Sequence, residues 1–235
     1  MKRNLLLATV MVFSLALAAN AGSISGKVSG VTGESVVYVD TIAGKTFPAP
    51  TAHPLMDQKG MLFQPHLMIV QQGTTVDFQN SDNVAHNVAW TSVGGNKRLA
   101  HNMGTWPKGE KRSFKFDNPG VVPMMCYVHP EMAAYIIVSP TPYYAMSDKT
   151  GAYKIDNVPD GSYSVVAWHE GAKGLPKTVT VSGDTKADFT LTKLVGRPVG
   201  AGRGGFRFPG RPQSATSKGS AEAFPGISPR LPQQD

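Results

Sequence analysis

A single cysteine, Cys126, stands in this chain of 235 residues, so no disulfide can form within it. Structural cysteines in an oxidising compartment come in pairs, and a lone one needs another account. It is either an inert buried thiol or a metal ligand. Long apolar runs are scarce as well. The longest, Leu5 to Ala19, covers about 15 residues, short of the roughly 20 that cross a bilayer. It follows Lys2 and Arg3 and leads into Ala19-Asn20-Ala21, the layout of a secretory leader cleaved after Ala21. Residues 1–21 are therefore expected to be a signal peptide, leaving a periplasmic or otherwise secreted protein with no membrane span. Also missing are a glycine-rich loop between strand and helix, a Cys-x-x-Cys pair, and any Ser-His-Asp or paired-carboxylate pattern. These absences set aside nucleotide cradling, zinc ribbons and hydrolysis.

The formal charge of +7 suggests a basic protein, but its distribution says otherwise. Lys2 and Arg3 leave with the leader, and the stretch from Val195 to Asp235 sets six basic residues against Glu222 and Asp235. Gly22 to Leu194 keeps a net charge of only +1, so nothing marks a nucleic-acid-binding domain. Residues 195–235 are mostly Gly, Pro, Arg, Ser and Gln, bury too little to offset the entropy of ordering, and read as a disordered basic tail.

What remains is a series of short runs separated by turn signals, with no segment of long-helix period. Ile24–Val28, Val36–Asp40, Leu67–Gln71, Thr75–Phe78 and His86–Trp90 have strand lengths, as do Ser113–Phe116, Tyr135–Val138, Ala152–Ile155, Ser162–Trp168, Lys177–Val181 and Ala187–Leu191. Val76 and Phe78 alternate with Asp77 and Gln79, the period of a half-buried strand. The class is all-β.

The segment Met124-Met125-Cys126-Tyr127-Val128-His129-Pro130-Glu131-Met132 places a thiolate, an imidazole and a thioether three residues apart. A loop that short can bend around one ion. A fourth group has to come from elsewhere, and His86 is the best placed. Two imidazoles and a thiolate in a plane, with a weak axial thioether, suit copper electron transfer. Taken singly, each has a duller account: Cys126 and Met132 as core filler, His129 as a surface residue, His86 as a loop histidine. Taken together, the dull account needs four coincidences. Glu131 remains open as an alternative to Met132 in the axial position. His53, His66, His101 and His169 lack a partner pattern and are given no metal.

Met61 to Val138 resembles a cupredoxin. The stretches Leu62–Val70, Gly73–Phe78 and Asn80-Ser81-Asp82 look like the strands leading to the first histidine ligand of plastocyanin-like proteins. The Cys-x-x-His-x-x-Met spacing, with Pro130 after the histidine, is similar to the short ligand loop of amicyanins. The resemblance implies one mononuclear type 1 copper on His86 Nδ1, Cys126 Sγ and His129 Nδ1, with Met132 Sδ axial. It also implies that Asn87 ties the two ligand loops together. Multicopper oxidases and copper nitrite reductases need further histidine clusters, often His-x-His pairs, and this chain has no His-x-His. Gly94 to Thr105 departs from the family pattern.

Downstream, Ser147–Ile155, Asn157–Val165 and Lys177–Val181 are similar to the carboxypeptidase regulatory-like (transthyretin-like) sandwich, whose usual first strands Ser23–Val28 and Ser35–Asp40 would supply. A Greek-key cupredoxin sandwich at 51–139 is thus expected inside a discontinuous sandwich of 22–50 and 140–194, with a plain tandem as the rival. Trp168-His169-Glu170 reads as strand-end residues packed at the interface of the two. The expected function is a periplasmic single-electron carrier, not an enzyme, whose redox partner is a cytochrome or a periplasmic dehydrogenase. Rival readings are a copper storage, delivery or sensing module, and an envelope interaction protein in which the cupredoxin is only a scaffold. Oligomeric state is open.

Overall fold

The computed structural model describes residues 21–194. The expected leader, apart from Ala21, and the expected tail lie outside the described residues. The first strands are β1 (Ala21–Ser29) and β2 (Val36–Val39). Nine follow: β3 (Leu55–Gln58), β4 (Phe63–Gln64), β5 (Leu67–Gln71), β6 (Thr75–Asn80), β7 (His86–Trp90), β8 (His101–Trp106), β9 (Lys111–Lys115), β10 (Gly120–Met125) and β11 (Ala133–Ser139). The remainder are β12 (Tyr144–Met146), β13 (Ala152–Pro159), β14 (Gly161–Trp168), β15 (Ala172–Lys173), β16 (Lys177–Val181), β17 (Asp184–Lys186), β18 (Phe189–Thr190) and β19 (Thr192–Lys193). One short 3-10 turn, Lys97–Leu99, precedes β8.

Strands β3 to β11 form two sheets, ordered β5-β11-β10-β7-β8 and β4-β3-β6-β9. Val76 and Phe78 from one sheet meet Val88, Trp90, Val122, Met124 and Ile136 from the other in a single core that also holds Cys126 and Met132. Strands β1 and β2 pair elsewhere. β1 lies between β13 and β17, and β2 between β12 and β14, so the start of the chain joins strands that follow Ser139. A second core, with Ile24, Val37, Val39, Ile155, Val165 and Phe189, fills that unit. The two connecting points are tied together, because Thr141 Oγ1 donates to the Val39 carbonyl at 2.7 Å and Val39 N–H donates to the Tyr143 carbonyl at 2.9 Å.

Period-two alternation explains how the units stack, since successive side chains of a strand point to opposite faces. In β11, Ala134, Ile136 and Val138 face the first core, while Tyr135 and Ile137 face outward. In β2, Val37 and Val39 face the second core, and Val36 and Tyr38 face outward. The two outward faces meet in a third cluster, with Leu67, Ile69 and Trp168. Strands β5 and β11 are therefore covered on both faces, which accounts for their near-continuous hydrophobic sequences.

Several details depart from the sequence pattern. Asp77, expected on a solvent face, is only 7% exposed, because Lys111 Nζ and Ser113 Oγ from β9 cover it at 2.7 and 2.6 Å. The pattern also does not foretell β3, β8 or β10. β10 is disguised by Pro123, which lies just outside the residues that pair with β7, Met124 and Met125, where a missing N–H costs least.

Trp168 and Glu170 lie at the junction of the units. The Trp168 ring packs on Tyr135 at 5.1 Å, and Glu170 accepts a hydrogen bond from His66 Nε2 at 2.9 Å. The other nitrogen, His66 Nδ1, faces the Ala133 carbonyl at 3.1 Å, so both ring nitrogens meet acceptors and the imidazolium form fits best. The Glu170 hydrogen bond is the main reason the His66 pKa lies above its usual 6.5, outweighing the lowering effect of burial. With 53% and 40% of the two side chains exposed beside a cleft of about 220 Å³, solvent screens the pair, and its worth is about 1 kcal/mol at most. A pKa raised on folding stabilises fully below the unfolded value and loses that effect as pH rises through the folded value. Glu170→Gln is thus expected to lower the melting temperature at about pH 5.5 and to converge on the parent protein near pH 8.5. Thermal melts across that range check it, and a pH-independent gap would contradict it.

Candidate metal centre

The β10–β11 ladder ends at the pair Met125 and Ala133, leaving Cys126 to Met132 as a seven-residue loop. Its ends are closed by Cys126 N–H donating to the Met132 carbonyl at 3.2 Å, and its middle by Met132 N–H donating to the His129 carbonyl at 2.9 Å. This winding turns Cys126 and Met132 inward, both buried, and leaves Tyr127, Val128, Pro130 and Glu131 exposed, with His129 between these extremes. β7 runs antiparallel beside β10, with Ala89 opposite Met125, which brings His86 and Asn87 alongside the loop.

The structure brings three of the four sequence candidates into one group. One ligand atom each from His86, Cys126 and His129 lies within 4.8 Å of the others. His86 and His129 face each other through Nδ1 atoms 3.0 Å apart. Met132, the fourth candidate, is fully buried in the same apolar cluster as Cys126, whereas Glu131, its alternative, is exposed. His86 has no exposed surface, and its Nε2 lies 2.9 Å from Asp82 Oδ2. Burial pushes the Asp82 carboxyl upward, but the N–H groups of Met61 and Gly60 and the contact with His86 outweigh it and hold the pKa below the usual carboxylate range. Asp82 thus engages the outer nitrogen of the His86 ring and leaves Nδ1 directed at His129 and the group with Cys126.

Asn87 locks the arrangement. Its backbone N–H donates to Cys126 Sγ at 3.3 Å, and its carbonyl accepts from Gln58 Nε2 at 3.1 Å. Its side-chain oxygen accepts from Tyr127 N–H at 3.2 Å, and its Nδ2 donates to Asn102 Oδ1 and the Gly104 carbonyl at 2.7 and 2.8 Å. The His129 N–H, 3.4 Å from Sγ, is a second donor to the sulfur. Asn102 and Gly104 come from the segment that departs from the family pattern. Between the pairs Asn87–Thr105 and Ala89–Asn102, β8 carries one residue more than β7, a bulge at Gly104 with φ +87° that aims the Gly104 carbonyl and Asn102 at Asn87. Asp82, Gln58, Asn102 and Gly104 were not among the sequence candidates. An aspartate four residues before the histidine and a glycine inside a strand-length run were the available signals.

Two imidazole nitrogens and one thiol sulfur, gathered in a site sealed on the His86 side, form a donor set for copper or zinc. Residues 52–139 match the profile of the copper binding proteins, plastocyanin/azurin family. They form a cupredoxin domain. Cupredoxins hold one type 1 copper, and the His86, Cys126 and His129 group fits that cofactor. Residues 140–189 match polysaccharide lyase family 4, domain II, rather than the carboxypeptidase regulatory-like profile, so the second unit is here simply an additional β domain. Among solved structures, the chain is similar to a reduced Cu(I) form of an amicyanin variant, at 22% identity over 39% of this chain and 86% of that one, TM-score 0.35. It is also similar to a purple cupredoxin from Nitrosopumilus maritimus, at 23% identity over 37% and 99%, TM-score 0.33. A Cu-containing nitrite reductase from Thermus scotoductus is 24% identical over 42% of this chain and 25% of that one, TM-score 0.35. No curated protein matches the chain.

The Asn87 side chain alone bonds Tyr127 N–H, Asn102 Oδ1 and the Gly104 carbonyl, on two other segments of the cupredoxin domain, so truncating it removes three hydrogen bonds at once. Asn87→Ala is expected to destabilise this domain by about 2–3 kcal/mol, and Asn102→Ala by about 1 kcal/mol. Urea unfolding of the metal-free protein, followed by tryptophan fluorescence, measures both; equal and negligible losses would contradict the clasp.

Proposed function

We propose that this is an exported type 1 copper protein that carries single electrons between redox partners. The observation that carries the reading is the group of His86, Cys126 and His129 donor atoms within 4.8 Å, already collected by Asn87 around a buried sulfur. Copper bound there supplies one-electron chemistry by cycling between Cu(II) and Cu(I). The chain's own part is to hold the donors still, so that little moves when charge changes. The N–H groups of Asn87 and His129 donate to Cys126 Sγ and fix its position. Met132 would be the fourth residue to hold copper, supported by its burial beside Cys126 and by the loop winding that turns it inward.

Exposed apolar side chains on the ligand-bearing loops, Val84, Tyr127 and Val128, support a docking face near His129. A cytochrome or a periplasmic dehydrogenase is the partner class we favour, and the leader-like residues 1–21 support a periplasmic location. We read the pairing of β1 and β2 with later strands as a cupredoxin inserted at 51–139 into a sandwich of 22–50 and 140–194. The lack of any His-x-His pair supports a carrier rather than an enzyme.

Copper(II) added to the mature protein is expected to give an intense visible band and a reversible one-electron wave in cyclic voltammetry. Cys126→Ser should lose the band, and His129→Gly should keep copper while opening the site to external imidazole. A copper-loaded protein without a reversible wave would favour storage or delivery, and a Cys126→Ser variant that kept its colour would remove the ligand assignment.

A further inference from the structure

We propose that the cleft at the junction of the two units is a guanidinium site, and that its occupant is Arg197, three residues past Leu194, the last described residue. The inference is independent of the copper reading. The cleft, of about 220 Å³, has Glu34, His66, Tyr135, Trp168, His169 and Glu170 in its wall and no lysine or arginine among the described residues that line it. Glu170 is already engaged by His66. His169 presents neither ring nitrogen to the opening, since Nδ1 accepts from Gly171 N–H at 3.0 Å and Nε2 faces the Thr32 carbonyl at 3.2 Å. Glu34 is the carboxylate left over. It is exposed and has no ion-pair partner among the described residues. Val36 pairs with Trp168, so Glu34 lies two residues beyond the partner of that tryptophan, whose half-buried ring packs on Tyr135 at 5.1 Å. An aromatic ring beside an unpaired carboxylate suits a flat cation that can stack and donate in its own plane at once. A guanidinium does both, and an ammonium does not.

The chain itself delivers such a group. β19 pairs with β15, and Leu194 N–H donates to the Gly171 carbonyl at 3.0 Å, so the described chain ends bound to the neighbour of Glu170. Residues 195–235 then hold six basic side chains, five of them arginine, against two acidic ones, a charge that complements the cleft. Arg197 is the first of the six. Three residues of extended chain span about 10 Å, and the long side chain adds to that reach. A tether this short holds the guanidinium at an effective concentration on the order of millimolar, so a contact too weak to capture a free cation is filled by an attached one. Arg203, the next basic residue, has a longer loop to close. Docked on Glu34, Arg197 ties the start of the tail to the segment between β1 and β2 and covers the contact of Trp168 with Tyr135.

Trp168 reports on the site, because Trp90 and Trp106 are buried in the cupredoxin core. In ¹H–¹⁵N spectra of the full mature chain, with the Trp168 indole signal assigned through Trp168→Phe, Arg197→Gln is expected to shift that signal and leave the other two in place. Glu34→Gln should also shift it, and the double variant should shift it no further than the larger single change. N-acetylarginine methylamide then probes the emptied cleft. If Arg197 fills the cleft about 90% of the time, the parent binds this probe about tenfold more weakly than Arg197→Gln does. Equal probe affinity in the two proteins would make the cleft a site for a cation from outside and overturn the tail as its occupant. So would a Trp168 signal that ignores Arg197→Gln but moves in Arg203→Gln. A probe that fails to bind Arg197→Gln would overturn the guanidinium site itself. Arg197 contributes to neither described core, so its variants decide the question even if Glu34→Gln does not fold.

Discussion

Asn87 is the residue on which the candidate centre depends. It belongs to β7, yet its main chain and side chain reach Gln58, Cys126, Tyr127, Asn102 and Gly104, which lie on three other stretches of the chain. Each of these hydrogen bonds contributes only about 0.5–1.5 kcal/mol net. Their joint effect is geometric, because no single segment of the clasp can shift without orphaning a polar atom on another. Cys126 and His86 are thereby held near one another before any ion arrives. A site assembled in advance spends little of the binding free energy on ordering itself, and its shape is set by the protein rather than by the metal.

That clasp needs firm ground, and the alternation of β5 and β11 supplies it. A strand covered on one face can flex toward solvent, whereas β11 is gripped between Ile136 in the cupredoxin core and Tyr135 and Ile137 at the junction. The ligand loop springs directly from β11, so the second unit, which carries no donor of the described metal group, still bears on the centre. His66 makes the link most directly. It joins Glu170 of the second unit to the Ala133 carbonyl, and Ala133 follows Met132. The additional β domain is in this sense a backing plate for the cupredoxin sheet.

How much of this could be read from the chain alone follows from the range of each interaction. Cys126, His129 and Met132 announce themselves because their chemistry is compressed into seven residues, and the ladder leaves just those residues free to wind. His86 lies 40 residues away from Cys126, but the polar, turn-like Asn80–Ala85 before an apolar strand marks it out. The alternating β-strands are legible for the same reason, since their signal is local. Asn102 and Gly104 are illegible because they act through a bulge, and a one-residue slip between β7 and β8 leaves no trace in the periodicity of either strand. Asp77 misleads in the opposite way, for a carboxylate on an apparently wet face becomes buried once Lys111 and Ser113 of β9 cross over it.

The two imidazoles are treated unequally. His86 is sealed from solvent and fixed through Nε2 by Asp82, whereas His129 is partly exposed and, among the described residues, has His86 as its side-chain hydrogen-bond partner. Motion is thus suppressed on the buried side and permitted at the surface. Charge is unequal too: the Asp82 carboxylate stands behind His86, while the residues flanking His129, Val128 and Pro130, are uncharged. The loop around His129 exposes Tyr127, Val128 and Pro130 beside the carboxylate of Glu131, a mostly apolar surface that costs little to dry. The Asp82 carboxylate, by contrast, sits on the ring nitrogen of His86 that points away from His129. One imidazole is thus tied down from behind and the other left open to its surroundings, an asymmetry built into the donor group before any ion binds.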